Sequence, residues 1–469
     1  MNLMPRYRQV ADNFAIEDRP SKVAAPQLLL WNDSLAKAFN INVVPELRAS
    51  TFSGNEQQVI AAVALGYSGH QFGHFSPRLG DGRAHLLGAV EDAQNQLWDI
   101  QLKGAGATPY SRGGDGRCAL GPAIREYIMS EAMQALGIKT TRCLAVVGSG
   151  ETVYRNQPQP GAIVTRLASS HIRVGSFQYL ATQGDVAGLK NLVDLAIERH
   201  YPKIQATGPE RYLAFLAAVI KNQVELVVSW MRVGFIHGVM NTDNTLVSGE
   251  TIDYGPCAMM NSFDFDTVFS SIDKQGRYAF GNQPNIANWN CARFAESLIP
   301  LVNDDDEQAV ALMTPIIDGF AEQFNVEFSA MWATKLGLAG TDTADKELIA
   351  ELLQLLKEHQ LDYTNTFDAL TESLTGTMSI PEALVQWAGK WQKRTDDRSY
   401  TVMRAANPRV IPRNHVIEKI LSEYNEAGSS ELLHEFMQVM HTPYENTDKL
   451  AKFQDAPSSD KEYYTFCGT

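Results

Sequence analysis

His237-Gly238-Val239-Met240-Asn241-Thr242-Asp243-Asn244, followed by Thr251-Ile252-Asp253-Tyr254-Gly255, is the stretch on which the reading of this chain turns. It sets an acid, an amide and a second acid on a short loop–hairpin–loop. Thr245-Leu246-Val247 and Glu250-Thr251-Ile252 read as the arms of the hairpin around Ser248-Gly249. Asp and Asn supply the hard oxygen ligands that Mg²⁺ accepts while it keeps several waters and bridges phosphates. Short Asp/Asn/Gly runs are also ordinary turn chemistry, so the stretch takes its meaning from its surroundings.

Protein kinases carry a similar set: a catalytic-loop Asp and Asn, then a metal-binding Asp-Phe-Gly. The spacing from His237 to Asn244 fits that pattern, but the loop's usual Asp position is Val239. The only Asp in this loop is Asp243, directly before Asn244. The parts are kinase-like and their placement is altered.

The flanks support a two-lobed protein. Pro209–Val233 is a long apolar helical pattern through Tyr212, Phe215, Val219, Val224, Leu226, Val228 and Trp230. It is too apolar for a surface helix, and it ends at Gly234, just before His237. Residues 60–170 are glycine-rich and read as strands and loops. Along residues 97–103, Trp98, Ile100 and Leu102 alternate with Asp99, Gln101 and Lys103, the period of a strand. Residues 162–167 read as another strand, and residues 122–136 as a helix opened by Pro122 and stopped by Gly137. Residues 290–440 are mostly amphipathic helices, such as residues 346–359. The expected fold is α+β: a strand-rich half over residues 1–160, a half with the catalytic and metal loops over 161–340, and a helical extension over 341–469.

Two elements point to phosphate: Gly80-Asp81-Gly82-Arg83 and Gly113-Gly114-Asp115-Gly116-Arg117. Glycines let backbone N–H groups close on an anion, and an adjacent Arg adds a planar donor fork. Lys103 ends its strand and Glu126 lies on the following helix, the kind of ion pair that fixes a kinase lysine against phosphates. Glu131 is the other acid on that helix. Arg166 and Arg173 flank Ser169-Ser170-His171, either as surface residues of a turn or as clamps for a polyphosphate.

Composition bounds the partners. The 469 residues carry a net charge of −14, which argues against a nucleic-acid backbone but not against a nucleotide. No uninterrupted apolar run has the length of a membrane span, and Met1-Asn2-Leu3-Met4-Pro5-Arg6 has no signal core, so a soluble cytosolic protein without a membrane partner is the expectation. The five cysteines (Cys118, Cys143, Cys257, Cys291, Cys467) are scattered and form no Cys-x-x-Cys pair. Neither a disulfide framework nor a structural zinc site is expected from them.

The runs Gly66-Tyr67-Ser68-Gly69-His70-Gln71-Phe72-Gly73, Leu79–Arg83, Gln101-Leu102-Lys103-Gly104, Asp243-Asn244, Asp253-Tyr254-Gly255-Pro256 and Met403-Arg404-Ala405-Ala406-Asn407-Pro408, with a cysteine near the C-terminus, resemble the selenoprotein O family over nearly the whole chain. The resemblance implies a protein-kinase-like two-lobed fold that transfers AMP from ATP to Ser, Thr or Tyr hydroxyls of proteins, with the nucleotide reversed in the cleft. It implies nucleotide binding by Gly80, Gly82, Arg83, Lys103, Asp115, Gly116, Arg166, Arg173 and Asp253, and Mg²⁺ or Mn²⁺ on Asn244 and Asp253. Asp243 would be the base, and Glu126 would support Lys103. Where some members carry selenocysteine this chain has Cys467, and Cys257 follows the metal loop, so the two form a possible redox pair. UMP transfer from UTP, phosphoryl transfer and a nucleotide-binding pseudokinase scaffold stay open beside AMP transfer. Val239 in place of the loop Asp speaks for the scaffold. The metal pair and Asp243 speak against it.

Overall fold

The alternation along Leu97–Lys103 does make a strand, but neither of its faces is wet. The computed structural model describes residues 3–56, 62–457 and 463. In it Ile100 and Leu102 pack under the short helices Asp33–Ala38 and Pro45–Phe52, against Leu35, Phe39 and Phe52. On the other face Asp99 and Gln101 are fully buried as well. Alternation reports that the two faces differ in polarity. It does not say that the polar one meets water.

That strand lies in the middle of an antiparallel sheet. Its members are Ala15–Glu17 (β1), Gln27–Trp31 (β2), Val63–Leu65 (β3), Ala84–Glu91 (β4), Leu97–Lys103 (β5), Cys118–Ala119 (β6), Arg142–Tyr154 (β7) and Pro158–Ala168 (β8). The spatial order is β1-β3-β4-β5-β8-β7-β2, with β6 on β8. The β5–β8 register sets Arg166 opposite Gln101 and Val164 opposite Lys103. A register shift between Thr165 and Arg166 on the β7 side marks a bulge, a device that re-aims side chains. The helix Leu120–Ala135 packs on the inner face, with Pro122 in its first turn, where no N–H is lost to the helix.

The helical half is built around Pro209–Val233, which packs against Gln283–Val302 and Asp306–Leu336. By length and composition alone it could cross a membrane. This corrects the count of uninterrupted runs, which Lys221, Gln223 and Glu225 had broken up. The helix is instead largely a core element, and 56% of its most apolar stretch is buried in the protein. Gly234 ends it with φ +76°, and Phe235–Ile236 pairs with Ala258–Met259. That small ladder closes the base of the loop from His237 to Cys257.

The hairpin expected inside this loop does not form. Leu246 bridges Arg173, and Val174 N–H donates to Thr245 O at 2.8 Å. Thr251 bridges Thr140, and its N–H donates to Lys139 O at 2.9 Å. Gly249 still turns the chain, but each arm finds its partner in another element. The core helix supports both arms, through Gln223 Nε2 to Leu246 O at 2.8 Å and Trp230 Nε1 to Thr251 Oγ1 at 2.8 Å.

Beyond Leu336 the chain is helical, including Thr343–Glu358. The Met403–Pro408 run is a joint. Asn407 Oδ1 accepts from the buried Lys335 Nζ at 3.0 Å, and Arg232 Nη1, from the end of the core helix, donates to Ala406 O at 2.8 Å.

Asp99 anchors the bend between Arg166 and Arg173. It accepts from Arg199 at 2.8 Å, Tyr7 at 2.5 Å and His171 N–H at 3.1 Å. Burial alone would raise its carboxyl, but Arg199, His171 and Tyr7 outweigh burial and hold it at about 2. Asp99→Asn leaves the Arg199 charge buried and uncompensated, an expected loss of about 3 kcal/mol by denaturant titration at pH 7. Because the folded carboxyl is depressed, this stability is complete above about pH 4 and is lost on acidification toward pH 2. The variant's loss relative to wild type therefore shrinks over that range. An unchanged unfolding midpoint at pH 7 would refute this role.

Candidate active site

Three cations converge on one carboxylate. Lys103 Nζ donates to Asp253 Oδ1 at 2.8 Å and to Glu126 Oε2 at 2.7 Å. Arg166 Nη2 reaches Asp253 Oδ1 at 2.6 Å, and its Nε reaches Glu126 Oε1 at 3.0 Å. Arg173 Nη1 takes Asp253 Oδ2 at 2.9 Å. The expected Lys103–Glu126 pair is thus formed, and Asp253 is added to it. Glu131 stands apart from this cluster and binds Arg142, Asn32 and Cys143 N–H. Arg166 and Arg173 are not surface residues, since their side chains are 2% and 4% exposed. They are fixed by the bend between them, where Glu250 accepts from Ser169, Asp99 accepts from His171, and Arg199 donates to Ser169 O.

Burial would raise the Asp253 carboxyl, but Lys103, Arg166 and Arg173 outweigh it and hold the group well below the usual carboxylate range. Its backbone sits at φ +62°, a left-handed conformation that costs an Asp roughly 1 kcal/mol. The surrounding ion pairs supply the constraint that keeps it there.

Asp243 is the opposite case. Its main-chain oxygen accepts from Arg173 Nη1 at 2.6 Å, while its carboxylate faces the hairpin Gly69–Gln71/His74–Ser76. Gln71 Nε2 reaches Oδ2 at 3.4 Å, and Oδ1 is buried without a hydrogen-bond partner. Gly69 has to be glycine here, because a Cβ would run into Asp243 Oδ1. Burial pushes the carboxyl up to about 6 against the pull of Arg173. Two aspartates on one loop are held on opposite sides of their ordinary value.

Asn244 Nδ2 donates to Val239 O at 3.1 Å, which leaves its Oδ1 as the acceptor. Val239 thus contributes a carbonyl where kinases place an acid. His237 Nε2 carries the proton that binds Ile252 O at 2.9 Å, tying the two loops together. Among the described residues no group of three His, Cys, Asp or Glu side chains could hold a metal. Asp253 and Asn244 form instead a sparse, hard donor set. It suits a cation that completes its shell with water and phosphate oxygens.

Both glycine elements dock on the segment that follows Lys103. Gly104 N–H donates to Arg83 O at 2.7 Å, and Gly106 N–H donates to Gly116 O at 3.1 Å. Gly116, at φ +65°, lies so close to Gly106 that a Cβ would overlap its backbone. Gly80 and Gly82 lie against Tyr110. Asp115 does not join the charge cluster: it binds Arg155 through two bonds of 2.9 Å and is 47% exposed at the rim.

The reading of the residues gave no role to Asp81, Tyr67 or Gln71. Asp81 is buried 3.9 Å from Arg173, accepts from Leu65 N–H and Gln101, and is pushed up to about 6 by burial. The Tyr67 ring lies 4.7 Å from the Arg173 guanidinium. Asp81 stands between two glycines, and an acid in that setting reads as turn chemistry. Cys257 is a buried free thiol, pushed up to about 11 by burial. Cys467 lies outside the described residues.

The Asp243 carboxyl is expected to titrate near pH 6, as read by carbon-detected NMR. Arg173 is the main group lowering it, so Arg173→Met should move that midpoint to higher pH. A midpoint that stays put or falls would mean that Arg173 does not act on Asp243.

A model of the family described as protein adenylyltransferase SelO matches residues 1–441. The chain is 98% identical over 469 residues to the protein nucleotidyltransferase YdiU of Pseudoalteromonas translucida, covering 100% of both chains. It is 47% identical over 485 residues to that of Teredinibacter turnerae, again covering 100% of both. It is 47% identical over 476 residues to that of Geobacillus kaustophilus, covering 99% of this chain and 98% of the relative. With the match running through the charge cluster and both aspartate loops, the chain belongs to the SelO family of protein adenylyltransferases.

Proposed function

We propose that this chain transfers AMP from ATP to hydroxyl side chains of proteins, with Mg²⁺ or Mn²⁺ bound and pyrophosphate leaving. The observation that carries this reading is the pairing of opposites on one loop. Asp253 is held ionised by Lys103, Arg166 and Arg173, and Asp243 beside it is raised toward neutrality. Environments that drive two carboxyls apart mark an acid/base division of labour.

The reaction is attack of a hydroxyl oxygen on the α-phosphorus with loss of pyrophosphate. Asp243, ionised above about pH 6, accepts the hydroxyl proton, a role typically worth about 10²–10⁴ in rate. Lys103 and Arg173 stabilise the charge that builds on the leaving diphosphate. Arg166 spends hydrogen bonds on Glu126, Asp253 and Gln101, so its part is to hold Asp253 and Glu126 in place. Arg173 keeps its Nε free of partners, and its Nη2 lies 3.9 Å from Asp81. It is the arginine with donors to spare for phosphate. Asp253 and Asn244 would hold the metal, which neutralises phosphate charge. Gly80, Gly82, Arg83 and Gly116 line the approach to Lys103. Asp115, on the rim, would contact the nucleotide there or orient Arg155. None of these groups selects the base, so UTP stays as the alternative donor. A scaffold without chemistry leaves the burial of Asp243 without a purpose.

Intact-mass spectrometry after incubation with ATP and Mg²⁺ or Mn²⁺ is expected to show adenylate-sized adducts. Asp253→Ala should remove them, with a loss of at least roughly 10²-fold in rate. A phosphate-sized adduct, or no adduct on any acceptor, would count against adenylyl transfer.

Arg173→Ala should weaken ATP by roughly tenfold or more in calorimetry, and AMP far less. Equal losses for the two nucleotides would show that Arg173 does not address the terminal phosphates.

A further inference from the structure

The hairpin over Asp243 carries a second surface on its outward side. The His70 ring meets the edge of Trp289 at 5.1 Å and packs on Phe75 at 4.8 Å. Phe72 lies 5.1 Å from Tyr278. Two guanidiniums share Trp289: Arg277 stands 4.8 Å from its ring centroid and Arg293 stands 5.2 Å away.

This surface is fastened to the loop that holds Asp243. Phe72 N–H and Tyr278 OH both donate to Asn241 Oδ1, at 3.1 and 2.7 Å. Gln178 joins His70 Nδ1 at 3.0 Å and accepts from Thr242 Oγ1 at 2.8 Å. Asp273 caps the backbone N–H groups of Arg277 and Tyr278 at 2.9 and 2.8 Å, fixing where Arg277 leaves the chain. The Arg277 guanidinium lies beside Gly73 in the hairpin turn.

The two arginines are only lightly engaged by carboxylates. Among the described residues Arg277 pairs with no carboxylate, and Arg293 meets only Glu296, itself 51% exposed. Phe75 is 43% exposed next to them. Cations beside aromatic faces, part-exposed, are the composition of a recognition surface.

Resting on the adenylyl-transfer reading, we propose that this face docks the acceptor protein through an acidic segment next to its hydroxyl. The direction follows from Asp243. Its main-chain oxygen faces Arg173 and the phosphate-handling cations, and its carboxylate faces the hairpin. The hairpin lies against that carboxylate, so a hydroxyl that gives its proton to it has to come past the hairpin's edge. The charge follows from complementarity. A chain of net charge −14 repels an acidic partner at long range, but that field is screened beyond about 10 Å. Within contact, a guanidinium fork matches a carboxylate with two parallel hydrogen bonds.

The test uses two peptide pools with Ser, Thr or Tyr at the centre, one flanked by Glu and one by Lys, with ATP labelled at the α-phosphate. The Glu pool is expected to show a KM lower by roughly tenfold at similar kcat. Arg277→Glu with Arg293→Glu should raise KM for the Glu pool and lower it for the Lys pool. The neutral pair Arg277→Gln with Arg293→Gln should bring the two values together, which separates charge recognition from a damaged fold. Equal KM values in the wild type, labelling of the chain alone, or a loss shared equally by both pools in the variants overturns the docking and leaves adenylyl transfer standing. No label on either pool or on the chain overturns adenylyl transfer and the docking with it.

Discussion

The clasp of Lys103, Arg166 and Arg173 on the Asp253 carboxylate is the constraint on which the rest of the cleft depends. It joins the two halves of the protein at one atom group: Lys103 and Arg166 come from the sheet, and Asp253 from the loop behind the core helix. Removing the Asp253 carboxylate would leave the buried Arg166 and Arg173 without their shared counter-charge. Such clusters are sensitive to deletion because desolvated charge has no water to fall back on. The same clasp keeps Asp253 at φ +62°, so the chain's direction at this loop is set by electrostatics as much as by packing.

The acids of the cleft are held at different points on the pH scale. Asp253 is surrounded by cations. Asp243 lies against a glycine hairpin and is buried, with Arg173 the one cation that lowers it, helped by hydrogen bonds from Gln71 and the backbone. Asp81, buried and also raised, completes the set from the sheet side. The direction of each shift follows the cations that the carboxylate meets, and Arg173 reaches the Asp253 carboxylate, the main-chain oxygen of Asp243 and the neighbourhood of Asp81.

The sequence made much of this legible, and where it fell short the reason was distance along the chain. The strand ending at Lys103, the helix carrying Glu126 and the apolar helix before His237 are local patterns, and each took the form its periodicity implied. The hairpin around Ser248-Gly249 was also a local inference. It failed because Leu246 and Thr251 pair with Arg173 and Thr140, partners that no window of sequence contains. Burial was the other gap. Asp99, Gln101, Arg166 and Arg173 look like surface residues when read one at a time, and only their partners, Arg199 for Asp99, Arg166 for Gln101 and Asp253 for the two arginines, explain why they are inside. The two glycine elements looked alike, yet Asp81 is buried near Arg173 while Asp115 is spent on Arg155 at the rim.

The core helix Pro209–Val233 has a consequence for how the protein is made. Its apolar faces are covered by Gln283–Val302 and Asp306–Leu336, segments synthesised later, the last of them about a hundred residues on. At roughly 5–20 residues per second, a ribosome needs about 5–20 s to supply both covers. For that interval much of the apolar surface of this helix lies open, apart from contacts with earlier chain such as those of Phe215 with Phe177 and Tyr201. The sheet half, complete by Ala168, is available to fold first. The helical half must wait, so this segment is where a holding chaperone would find its grip.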